Sequence, residues 1–100
     1  MVSGEKQMAN ASEKRIEIKD DANLGIAMQI AEDEEGNYEP IAAAVSINEA
    51  REIAQSNLRA KMRRLERDED PGLCPFAYKV WAQGPDGTYR PVKEFDATSL

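Results

Sequence analysis

The chain has 100 residues, and its 13 Lys and Arg against 19 Asp and Glu leave a formal charge of −6. That length supports one domain, and burying roughly 60–65% of the unfolded surface leaves room for only a thin core. There is no His and a single Cys, which removes the commonest general base and metal ligand together and excludes an internal disulfide or a cysteine-built zinc cluster.

Residues 1–13 lack hydrophobic periodicity and read as a disordered tail, leaving residues 14–97 as one α+β domain. Residues 15–19 alternate polar and apolar, the pattern of a short half-buried strand, and residues 20–23 supply a turn. Residues 24–31 then put Leu24, Ile26, Met28 and Ile30 on one side and Gly25, Ala27, Gln29 and Ala31 on the other, as a second strand. Four acids precede Gly36, which permits the positive φ of a bulged hairpin loop, and residues 38–45 return as a third strand.

Ser46 and Glu49 have the spacing of a capping box. Ile47, Ala50, Ala54, Leu58, Met62 and Leu65 follow at intervals of three and four, one apolar stripe of a helix over about residues 47–68. Acids near its start and Arg and Lys near its end match the helix macrodipole, and Pro71 and Gly72 lie beyond the predicted stop. Residues 76–83 and 88–95 flank Gly84-Pro85-Asp86-Gly87 and predict a second hairpin. The order is β-β-β-α-β-β. Pro40 and Pro91 belong at sheet edges because proline has no amide for a ladder, which predicts a mainly antiparallel five-stranded sheet of order 3-2-1-4-5 with the long helix on one face.

At an offset of 51 residues the first hairpin echoes the second: Ala31, Gly36, Tyr38 and Pro40 recur as Ala82, Gly87, Tyr89 and Pro91. Independent use of the same turn residues, a duplicated unit, and one requirement recurring on both return strands all account for it.

Chemistry is sparse. The acidic run 32–35 fails as a calcium loop, because setting Gly36 at the sixth position places Ala31 and Ala42 at the two ligand ends; it reads as a solvated hairpin tip. Cys74 reads as a small apolar residue entering the core. No phosphate loop, nucleotide fingerprint or nucleophile elbow occurs, so neither enzyme activity nor a cofactor or metal is expected. The aromatics of the second hairpin alternate, with Tyr78 and Val80 on one face and Lys79 and Trp81 on the other. One helix cannot cover both faces of a sheet, and the pattern leaves open whether the Tyr78 side or the Trp81 side is covered, so Tyr78, Lys79, Trp81 and Tyr89 are the candidate partner surface and self-association is its corollary. Arg59, Arg63 and Arg67 form a helical row that could meet phosphate or a protein partner.

The expected function is a small interaction or regulatory module without enzymatic activity, bound to a protein partner or to itself as a homodimer. The alternative is a nucleic-acid-associated regulator using the basic helix row, which the acidic net charge disfavours. The single thiol fits a reducing, cytoplasmic setting. No run reaches the roughly 18 apolar residues of a membrane span, and the polar start of the chain lacks an apolar signal core.

Overall fold

The computed structural model describes residues 18–100. The predicted tail and residues 15–17 of the predicted first strand lie outside them. The elements are β1 (Ala27–Glu32), β2 (Tyr38–Ala43), α1 (Ile47–Glu66), β3 (Ala77–Gln83) and β4 (Tyr89–Asp96), followed by a single 3-10 turn (Ala97–Ser99). The sheet runs β2-β1-β3-β4 with every neighbouring pair antiparallel, so the α+β class stands.

Four strands, rather than five, form the sheet among the described residues. β1 pairs directly with β3, which closes the position expected for the strand at residues 15–19; Ile18 and Lys19 lie in irregular backbone before a turn. Five alternating residues are a weak signal, and here the next segment serves the helix instead. The carbonyl of Asp20 accepts from the Asn48 amide at 2.8 Å, and its carboxylate meets Arg51 at 3.3 Å. The other strands keep their expected order, and the two proline-bearing strands β2 and β4 are the edges.

Ser46 begins α1: its Oγ accepts from the Glu49 amide at 3.1 Å. The Glu49 carboxylate reaches back one residue further than a standard capping box, to the Val45 amide at 2.8 Å. Ser46→Ala is expected to destabilise the chain by about 1 kcal/mol through the lost cap, read as a lower denaturant midpoint at unchanged slope. At the other end Asp68 takes a left-handed φ of 59°. The Glu69 amide then donates to the Arg64 carbonyl and the Asp68 amide to that of Leu65, the Schellman closure that normally employs Gly.

Alternation gives the sheet two unlike faces. Ala27, Gln29 and Ala31 of β1 and Tyr78 and Val80 of β3 are buried beneath α1, together with Phe95. From the helix, Ile47, Ala50 and Ala54 close on them. Alanine is thus the commonest residue of the core, beside Ile47, Tyr78, Val80 and Phe95. Met62 and Leu65, expected in the apolar stripe, are exposed; the buried position at that level is Lys61. Its amine donates to the Pro71 carbonyl at 2.9 Å and to Glu39 at 3.3 Å. Gln29 is fully buried and donates to the Ala50 carbonyl at 3.0 Å.

The hairpin echo has a structural counterpart. Glu32 pairs with Tyr38 as Gln83 pairs with Tyr89, and Ile30 pairs with Pro40 as Trp81 pairs with Pro91. In both hairpins the residue after the proline, Ile41 or Val92, is left without a cross-strand partner by a bulge. Gly36 and Gly87 take φ of 90° and 86° in the two turns. The central seam pairs Gln29 with Val80, residues that are themselves equivalent, so the hairpins are related by an approximate two-fold axis normal to the sheet at that pair. Recurrence of Tyr-x-Pro outside the turn therefore accompanies one recurring backbone device, a proline followed by a bulge on each edge strand.

Candidate functional site

The face of the sheet opposite α1 carries the larger side chains. β1 contributes Met28, Ile30 and Glu32, β3 contributes Lys79 and Trp81, and the edges add Tyr38 and Tyr89; together they line a shallow cavity of about 350 Å³. The register sets Met28 beside Trp81 and Ile30 beside Lys79. Tyr38, Ile30, Trp81 and Tyr89 form a diagonal apolar band, which spans on the order of 25 Å from strand spacing and rise. The approximate two-fold exchanges its ends, Tyr38 with Tyr89, and its middle, Ile30 with Trp81.

Tyr38 is 66% exposed and Met28 44%, whereas Trp81 and Ile30 are half-buried. The Trp81 indole nitrogen is shut away from solvent without an acceptor. Lys79 lies at the margin of the band, 2.7 Å from Glu32. That hydrogen bond, aided by the charges of Glu32 and Glu94 and opposed by partial burial, holds the Lys79 amine above the usual lysine range.

Three of the expected surface residues, Lys79, Trp81 and Tyr89, share this face. Tyr78 does not: it is fully buried under α1, where its hydroxyl donates to Asn57 Oδ1 at 2.8 Å. Neighbours along a strand point to opposite faces, and the helix covers the Tyr78 side. Burial, with the nearby Glu39 carboxylate, pushes the Tyr78 phenol up to about 12. Met28, Ile30, Glu32 and Tyr38 were not among the expected surface residues. The alternation of β1 already grouped Met28 with Ile30, and the hairpin echo already equated Tyr38 with Tyr89.

Arg59, Arg63 and Arg67 are exposed on the side of the helix away from the sheet. Arg67 has become the C-cap and lies 3.7 Å from Glu69. Cys74, expected in the core, is exposed; it sits in the loop before β3, and it is Leu73 that packs against the core. Asp33 accepts from the Glu35 and Asn37 amides and so braces the acidic hairpin tip. Among the described residues no group of three or more His, Cys, Asp and Glu is placed to hold a metal ion, and no helix is long and apolar enough to cross a membrane. Comparison of the chain with protein-family models, curated proteins and solved structures gives no match.

Proposed function

We propose that the chain is a small interaction module without enzymatic activity, whose contact surface is the open face of its sheet. One observation carries this reading: Met28, Tyr38 and Tyr89 stand exposed on the face opposite α1, beside half-buried Ile30 and Trp81. Removing a large apolar side chain from water is worth roughly 1.5–3 kcal/mol, so a partner covering that face gains several such contributions. The basic helix row supports the nucleic-acid alternative less well. Arg67 is engaged with Glu69, and Asp68 and Asp70 adjoin it in a chain of net charge −6.

Two methionines give an internal test, because Met28 on the open face and Met62 on the helix are 44% and 54% exposed. In dilute purified protein both should oxidise at comparable rates. In cells expressing the chain Met28 should be protected and Met62 should not. Equal oxidation of the two in cells would remove the basis for a covered sheet face.

A further inference from the structure

We infer that the partner covering the open face is a second copy of this chain, stacked sheet against sheet about a two-fold axis. This rests on the contact-face reading above and names its occupant.

The edges argue first. Association through β2 or β4 would require an uninterrupted row of backbone donors and acceptors. Both edges carry a proline and, directly after it, a bulge. Proline removes a donor and a bulge breaks the repeat, so neither edge offers an extended peptide or a second edge a full-length ladder. The face remains.

Charge argues next. Two copies of a chain with net charge −6 repel, so a self-contact must lie where charge is least. The band of Tyr38, Ile30, Met28, Trp81 and Tyr89 bears no charged side chain; the charges of this face lie together at its margin, Lys79 held by Glu32 at 2.7 Å and Glu94 opposite Lys79 on β4. A strongly charged partner finds no counter-charge on the band itself, and at its margin only Glu94. An identical uncharged band matches it in chemistry. It also matches in outline, because the approximate two-fold normal to the sheet exchanges Tyr38 with Tyr89 and Ile30 with Trp81, which makes the diagonal of these four equivalent from end to end; Met28, whose counterpart is Lys79, flanks it. An in-plane two-fold along or across it therefore lays band on band, as a closed isologous dimer requires.

Area is sufficient. Four strands of six or more residues present about 400 Å² in plan per copy from their spacing and rise. Stacking two faces therefore removes about 800 Å² before side-chain relief is counted, and stable interfaces begin near 1,000 Å². Aromatic side chains carry about 150–250 Å² each, and Tyr38 projects with 66% of its surface exposed. Those projections supply the difference.

The test is sedimentation equilibrium of the full chain from micromolar to millimolar concentration, at low and high salt. Met28→Glu and Tyr89→Glu change exposed positions on the face, and Met62→Glu changes an exposed helix position as the control. The wild type and the Met62→Glu variant should be dimers, tightened or unchanged by salt because the net charges repel. The two face variants should weaken the dimer by on the order of thirtyfold or more, the effect of a hot-spot residue. A wild type that stays monomeric throughout overturns the second copy alone and leaves the contact-face reading to its methionine test. A dimer that neither face substitution weakens overturns both the second copy on this face and the reading of the face itself.

Discussion

Replacing Tyr78 with Phe is expected to lower stability by about 1–2 kcal/mol at neutral pH, because Asn57 then keeps a poorly solvated oxygen without its donor. Tyr78→Ala should remove about 3–5 kcal/mol, the range for deleting a buried aromatic ring. The larger loss approaches the whole stability of a domain this size. The phenol also gives a pH signature. Its value is raised from the ordinary 10.0 to about 12 in the folded chain, by burial and then by Glu39, so the folded state holds this proton more tightly than the unfolded one. The stabilisation is fully present below pH 10 and is lost as pH rises from there toward 12. Lysines titrate in the same range, so the informative quantity is the difference between wild type and Tyr78→Phe. That difference should be constant below pH 10 and shrink above it; parallel denaturation profiles across the window would contradict the buried phenol.

A second large effect is expected at Lys61, the cation held inside the helix–sheet layer. Lys61→Met preserves most of the aliphatic stem and removes the charge. Glu39 is 42% exposed at its side chain and can turn to water, so the main loss is the donor to the Pro71 carbonyl, about 1–2 kcal/mol. Lys61→Glu instead puts a second carboxylate at a buried position facing Glu39 and a backbone carbonyl. It should cost about 3–5 kcal/mol, as for other unpaired buried charges. Combining it with Glu39→Lys should recover part of that loss. Urea denaturation of the four chains checks this, and a Lys61→Glu variant within experimental error of wild type would mean that Lys61 is not held as described.

The parts of the fold written in strong local signals were legible in advance. The Ser46 cap, both glycine turns and the edge placement of Pro40 and Pro91 follow from backbone chemistry that any context must satisfy, and the structure keeps all of them. Periodicity was less decisive where tertiary contacts chose between alternatives. The helical stripe correctly held Ile47, Ala50 and Ala54, but past Leu58 the inward position passes to Lys61. There Lys61 is enclosed by Glu39 and the Pro71 loop while Met62 is left outside. Alternation in β3 separated Tyr78 from Trp81 without saying which side the helix would cover. The preference for the Tyr78 side became visible only with Asn57 placed to accept its hydroxyl. Of the open face, Lys79, Trp81 and Tyr89 were legible from the second hairpin. Tyr38 could have been added by carrying Tyr89 back 51 positions.

The asymmetry of each hairpin bears on how the chain reaches its native arrangement. Within a hairpin one border, β2 or β4, is interrupted by proline and bulge, while the other, β1 or β3, pairs without a register shift along the seam. Each hairpin closes over short loops and forms on a microsecond scale. The seam joins residues about fifty positions apart, so its closure carries the larger entropic cost and is expected to follow the two hairpins. Two preformed hairpins then have one productive way to meet, smooth border to smooth border. The interrupted borders disfavour the competing encounters, so the slow step of folding is expected at the Gln29–Val80 line, where substitutions should change the refolding rate more than those in either turn.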